Sequence, residues 1–462
     1  MATIDKVIEN GICVGCGGCG TATKGRIPIR LSTRGIYQAD ISNATDADKE
    51  IASRVCPFTD ESKDEDQIAA EVFDAKLQYD PRLGRYLNMY AGRVTDDKLI
   101  PGSSSGGITS WLVCQLLERG EIDGVVHVGF TETPMFGYVV SHSIDDVMGR
   151  RKSQYHPASF AKALAQIRGD GKRYALVGVP CAIKSARLAA AEDGELAQQI
   201  KFFVGIVCGH LKSTAYAESF AWQVGVPPEK LERVDFRIKD PALTSRQYRF
   251  GALEKGTDVM KEAPTLGLVG GNWGHAVFQL DACNYCDDIF AETADVVIGD
   301  AWLSKYEIDW RGTNVVVTRN DVIDSILADG VAGGEVGLDN LDTDSVARTQ
   351  GGNFRHRREG LAVRLADDQA AGRWSPKKRV QPSYENTTEE RIGIVRRRRV
   401  LSEKSHEIFI EAKQKNDLNV YLDAIRPMLE SYQAVTKMAF TTRVRNKAQR
   451  EMWKIIRKLQ RS

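Results

Sequence analysis

Between residues 91 and 333 the chain alternates two kinds of apolar pattern. Short, nearly continuous runs, GVVHVGF from 124, RYALVGVP from 173, IKFFVGIVCG from 200 and ADVVIGDAW from 294, end near Gly, Pro or Asp. Such runs suit strands buried on both faces. Between them lie stretches with helical spacing: GGITSWLVCQLLERG, SFAKALAQIRGDG, CAIKSARLAAAEDG and STAYAESFAWQVG. NVVVTR and DVIDSILADG continue the alternation. Strands alternating with helices predict an α/β fold around a mixed sheet, with the core at 91–350. After about 333 the pattern is mostly helical, and a polar, proline-containing break near 374–390 interrupts it. Upstream, 1–65 is rich in Gly and Cys and then polar, and 66–90 reads as a connector. The stretch DESKDEDQIAAEVFDA starts acidic, as a helix N-terminus prefers. No internal repeat is visible.

Composition changes this picture little. A chain of 462 residues suggests about two to four domains. Its 42% hydrophobic and 27% charged residues are ordinary for a soluble globular protein. No basic, then apolar, leader opens the chain, and no apolar stretch approaches the length of a membrane span, so a cytoplasmic location is expected. Charge changes it more. The net charge of +1 conceals 18 Lys/Arg against 7 Asp/Glu from Arg391 to Ser462. This basic helical extension, 391–462, opens with Arg396, Arg397, Arg398 and Arg399. It reads either as a solvated tail or as a docking surface for an acidic partner or an anionic membrane face. It lacks a nucleic-acid motif and interleaved aromatics, so no nucleic-acid partner is expected.

The nine cysteines carry the strongest chemical signal. In a reducing compartment they are not a disulfide framework, and clustering favours metal ligation. Cys13, Cys16 and Cys19 have the spacing of a ferredoxin run, whose closing Cys-Pro is displaced to Cys56 in RVCPF. The cost of a long intervening loop grows only logarithmically. Glycines 15, 17, 18 and 20 allow a tight backbone wrap. These four cysteines predict a ferredoxin-like [4Fe–4S] segment, with a structural zinc site as the alternative. Cys181 and Cys208 end predicted strands, and DACNYCDD supplies Cys283 and Cys286. Strand ends of an open sheet line one crevice, so these four can meet. Cys114, within SWLVCQLL, reads as a buried small hydrophobe.

PGSSSGGIT places Ser103, Ser104, Ser105, Gly106 and Gly107 before a helix, where free N–H groups bind anions. An ordinary serine N-cap is the alternative reading. His210 and His275 are acid–base candidates, since imidazole titrates near neutrality. Asp300 ends a predicted strand at the crevice edge, where it contacts a ligand or caps the next turn. Lys184 either neutralises cofactor charge or lies on the surface.

Taken in order, the ferredoxin-like start, GSSSGGITSWLV, EIDGVVHVG, VGVPCAIKSAR and CNYCDDIFAETADVVIGDAW resemble the family of beta subunits of coenzyme F420 hydrogenases and dehydrogenases. The likeness spans about 10–350 and extends to ferredoxin-dependent chlorophyll reductases. It implies a flavin- and iron–sulfur-dependent oxidoreductase with FAD in the α/β core. It implies a second [4Fe–4S] cluster on Cys181, Cys208, Cys283 and Cys286. It also places FAD at Ser103–Gly107 and, through RRKSQYHP, at Lys152, Ser153 and Tyr155. Two functions are then expected. One is a reductase that takes electrons from reduced ferredoxin, through two clusters and FAD, to a small organic substrate. The other is an electron-input subunit that oxidises reduced F420, or another hydride carrier, for a partner enzyme.

Overall fold

A computed structural model describes residues 3–132, 134–385 and 387–459, and only the backbone at 438–443 and 445–459. Its centre is an eight-stranded mixed sheet. In chain order the strands are β1 (Met89–Val94), β2 (Gly124–Phe130), β3 (Phe136–Ser141), β4 (Tyr174–Gly178), β5 (Ile200–Ile206), β6 (Val296–Asp300), β7 (Asn314–Thr318) and β8 (Val336–Asn340). Across the sheet they run β8-β1-β7-β6-β5-β4-β2-β3. Strands β2, β4, β5 and β6 are mutually parallel, and the pairs β6–β7, β7–β1, β1–β8 and β2–β3 are antiparallel. The α/β, mixed-sheet expectation holds, and all four apolar runs are strands of this sheet.

The pleat explains why those runs are apolar throughout. Successive side chains point to opposite faces, and both faces are covered. Val125, Ala175, Phe202 and Val296 join one core, with helix α1 (Ile108–Glu118) and the helix Asp321–Ala332. Their neighbours Val126, Leu176, Phe203 and Val297 join the other, with helix α2 (Pro180–Ala191) and Phe290. Because β4, β5 and β6 are parallel, their carboxyl ends share one edge, where a crevice is expected.

The N-terminal segment packs Val7, Val55 and Phe58 against Leu188 of α2 and against Leu361 of helix α3 (Gly360–Ala370). Its helix Asp46–Val55 begins with a Thr45/Asp48 capping box and stops before Cys56-Pro57, where the residue preceding proline takes an extended conformation. The stretch read as a connector holds the rest of a helix, Glu65–Val72, and a hairpin, Gln78–Asp80 with Gly84–Tyr86.

A three-stranded antiparallel sheet, Leu231–Ile238, Arg249–Glu254 and Met260–Pro264, has no counterpart among the elements expected from the sequence. It shares a core with the C-terminal helices α4 (Glu389–Lys415) and α5 (Leu418–Leu459). Phe409 and Tyr421 are fully buried there, each with ring contacts to Phe278. The extension is therefore packed onto the core along α4, which corrects the solvated-tail reading for that helix. The Arg396–Arg399 run is not a free basic face either. Arg396 pairs with Asp367 at 2.6 Å and Arg399 with Asp368 at 2.7 Å. Arg398 is buried and donates to the Gly274 carbonyl. Arg397 is exposed. The basic side chains from Arg443 onward lie outside the described residues. Among the described residues no helix is long and apolar enough to cross a membrane.

Candidate functional site

The crevice at the strand ends deepens into a cavity of about 300 Å³. At one end lies the N-terminus of α1, with Ser103, Ser104, Ser105 and Gly107 in the wall. Gly107, in a left-handed conformation (φ 83°), precedes the helix, and no serine caps it; Asn314 Oδ1 accepts from Ile108 N at 3.1 Å. The serine-cap alternative therefore fails. Ser103 and Ser105 donate to the carbonyls of Leu99 and Thr313, and Ser104 accepts from Ser153 N at 2.7 Å. Gly106 is not in the wall: a Cβ there would overlap Gly92 O and Asn314, so this glycine serves close packing against the sheet.

The wall continues beside this loop with Arg150, Arg151, Lys152, Ser153 and Tyr155. Lys152 has a left-handed backbone (φ 91°), a strained conformation for a residue with a side chain, and its ammonium pairs with Asp235. Tyr155 packs its ring 4.9 Å from Trp273. Two basic wall residues carry no signal in the sequence. Arg237 is buried and makes a two-pronged pair with Asp300, at 2.9 and 3.3 Å. Asp300 thus lies at the cavity and holds Arg237; it does not cap the following turn. Lys212 is buried between the rings of Tyr216 and Trp273, 4.6 and 4.7 Å from their centroids, and donates to Val277 O. Burial and the charge of Arg398 pull its pKa well down. The wall is basic and long, which fits an extended anionic cofactor such as a dinucleotide.

The remaining polar candidates separate. His210 lies in the wall, stacked 4.3 Å from Trp273, with Nε2 unpartnered. Burial, then Lys212, Arg398 and Arg357, hold its pKa well below the usual imidazole value, so it is neutral near pH 7. His275 lies outside the wall, packed edge-on to Tyr432, and burial lowers its pKa to about 4. It cannot deliver a proton in the cavity. Lys184 is neither in the wall nor on the surface. It is a buried lysine paired with Glu65 at 3.2 Å, and its charge favours the Cys56 thiolate.

The cysteines assemble as two groups of four and one outlier. Cys13, Cys16, Cys19 and Cys56 line one small cavity of about 20 Å³. The tight approach relies on glycine: Gly15 has φ 64°, and a Cβ there would overlap Tyr37. The amides of Gly15 and Ala39 donate to Cys13 Sγ, at 3.3 and 3.4 Å. Burial, and then the charges of Cys286, Cys208 and Cys283 close by, raise the Cys181 pKa. The amide of Leu211 donates to Cys283 Sγ at 3.2 Å. Cys114 has Arg151 and Glu118 as its charged neighbours and no other thiol. Burial pushes the Cys13 and Cys283 thiols up to about 11 and Cys208 up to about 12. Buried thiols of this kind become thiolates when a bound cation supplies the missing charge. Among the described residues no group of three or more His, Cys, Asp or Glu is placed to hold a metal ion. A zinc ion needs four sulfurs about 2.3 Å from one point. The four thiols of the first set line one space, a donor set that suits an iron–sulfur cluster and also zinc. Cys16 also reaches the large cavity, as do Cys181 and Cys208, so both sets open onto it.

Two family models cover this region. The N-terminal model of "Coenzyme F420 hydrogenase/dehydrogenase, beta subunit" matches residues 89–165, and the C-terminal model matches 171–344. The chain belongs to this family. Among its relatives, one component of the F(420)H(2) dehydrogenase of Methanosarcina mazei is 22% identical over 66% of this chain and 81% of its own. The beta subunit of the coenzyme F420 hydrogenase of Methanothermobacter thermautotrophicus is 24% identical over 54% and 84%. The coenzyme F420-dependent sulfite reductase of Methanocaldococcus jannaschii is 25% identical over 64% of this chain and 43% of its own. A chain of the F420-reducing [NiFe] hydrogenase complex from Methanosarcina barkeri superposes with TM-score 0.48 and 18% identity, over 63% of this chain and 96% of that one. The named relatives are oxidoreductases or parts of them, and this family member is assigned to the same broad class. The first cysteine set, at 13–56, and everything after 344 lie outside the matched span.

Proposed function

We propose that the chain is an FAD- and [4Fe–4S]-dependent oxidoreductase component that moves electrons between a deazaflavin hydride carrier of the F420 type and a partner protein. One observation carries this reading: a single basic cavity is bordered by thiols of both four-cysteine sets. FAD would lie along the α1 N-terminus and the Arg151–Tyr155 wall. Cys13, Cys16, Cys19 and Cys56 would hold one cluster, and Cys181, Cys208, Cys283 and Cys286 the other. Flavin exchanges electrons in pairs or singly, and clusters carry them singly. The protein's own part is to bind, to orient and to exclude water. Arg237, fixed by Asp300, would supply positive charge at the cavity wall, and Lys212, whose charge burial disfavours, a hydrogen-bond donor. His210, neutral, offers a hydrogen bond and not a proton. The relatives named for F420 favour that carrier over the ferredoxin-fed route to an organic substrate.

Anaerobic reconstitution tests the reading. The expected yield is about eight irons and one FAD per chain, with flavin bleaching on addition of reduced F420. If reduced ferredoxin bleaches the flavin and reduced F420 does not, the reductase reading replaces this one.

A further inference from the structure

Two cations with buried side chains act on the second cysteine set: Lys378, which is paired with Asp287 at 3.4 Å, and Arg357, which no carboxylate among the described residues answers. Arg357 is 1% exposed. It sits on a π-helical turn, Arg355–Glu359, a type of distortion that often marks functional positions. Its guanidinium donates to Gly209 O at 2.9 Å and to Cys208 O at 3.3 Å, and stands 3.9 Å from Cys208 Sγ. The charges that act on it most are the thiols Cys286, Cys208, Cys283 and Cys181. Behind it lie buried Arg364, donating to the Asn284 and His356 carbonyls, and buried Arg398, donating to Gly274 O. Among the described residues none of the three pairs with Asp or Glu. A buried, unpaired cation is costly, and the charges acting most on Arg357 are those of the thiols, so the anion that answers it belongs at the second cysteine set. Four thiolates around a cluster are such an anion. All three arginines lie beyond residue 344, outside the span that matches the family models.

We propose that Arg357, backed by Arg364 and Arg398, tunes the second cluster by holding its reduction potential above the value four thiolates alone would set. This rests on the reading that those cysteines hold a cluster. One-electron reduction of the cluster adds one negative charge, breaks no bond and moves no proton. A fixed guanidinium beside the sulfurs therefore stabilises the reduced form more than the oxidised one. Arg357 is a positioning residue, acting through the cluster and not on substrate.

The test is a mediated redox titration of the full-length, anaerobically reconstituted protein, read by electron paramagnetic resonance. Cys283→Ser first assigns the second signal. In Arg357→Gln that signal's midpoint falls by at least about 59 mV, a tenfold change in reduced-to-oxidised ratio for one electron, while the first signal stays in place. Arg357→Lys, which keeps the charge, falls by less than half as much. An unmoved midpoint in Arg357→Gln overturns the proposal. If neither Arg357 variant folds, Arg398→Gln decides: a smaller fall supports the proposal, and none overturns it. Wild-type protein with about four irons per chain and no second signal would overturn the cluster reading, and the tuning role with it.

Discussion

At the scale of single residues, the thiols give the clearest expectation. Cys114 sits on α1 among apolar side chains, away from every other thiol. Cys114→Ser is expected to retain all the iron of the wild type, whereas Cys283→Ser loses about half, because a cluster needs each of its thiolates. Iron assay and visible spectrum of the two variants check this. A second expectation concerns histidines away from the cavity. Burial lowers His406, which shares Ser402 O at 2.8 Å, and His275 to about 4. Their unfolded value is near 6.5. Above pH 6.5 both states are neutral there, and the stabilisation is fully present. Below it the unfolded chain takes up protons that the folded chain refuses, so stability is lost as pH falls towards 4. The urea midpoint should fall between pH 7 and pH 5, and less steeply in His406→Gln. A flat profile in the wild type contradicts the assignment.

At the scale of elements, the C-terminal helices matter as packing. Phe409 on α4 is fully buried, edge-on to Trp222 and beside Phe278 and Tyr421. Phe409→Ala should cost about 3–5 kcal/mol, measured by denaturant unfolding of the holo-protein. Removal of everything after 390 would strip Phe409, Tyr421 and Arg398 from the core they complete. The expected product is aggregated or proteolysed protein, not a soluble core lacking only a tail. The N-terminal element makes the complementary point. Gly15 adopts a left-handed backbone against Tyr37. Gly15→Val should cost the first set its iron and leave the second intact, as an iron assay combined with the assigned resonance signals would show.

At the scale of the whole molecule, most of the Arg396–Arg399 run is engaged within the chain. Three of the four consecutive arginines at 396–399 are committed to Asp367, Asp368 or the Gly274 carbonyl. Screening acts on exposed charges, with a Debye length of about 10 Å at 0.1 M salt. If a protein partner exchanges electrons with this chain, Arg397→Gln should leave the salt dependence of that exchange unchanged. Stopped-flow rates across ionic strengths would show it; a strong loss of salt dependence would place the partner on this helix.

The sequence by itself determined the strands, the helices that alternate with them, and the division of cysteines into four, four and one. Those features are written in local periodicity and spacing, because a buried strand must be apolar on both faces and a ligand set needs its own thiols. Ser103–Ser105 and Asp300, expected from their places at a helix start and a strand end, line the cavity, as do Lys152, Ser153 and Tyr155, which the family resemblance singled out. The small sheet at 231–264 was not, since its half-exposed strands alternate without a strong apolar run. Nor were Lys212, Arg237, Trp273 or Arg357, which carry no motif and face the cavity or the thiols only once distant segments meet. Arg357 reaches Cys208 across 149 positions, and Arg237 reaches Asp300 across 63. Tertiary structure alone decided which way the arginine run points. A row of cations looks the same in sequence whether it is free in solvent or partly engaged by the chain's own acids and carbonyls, and only the packing of α4 against the core distinguishes the two.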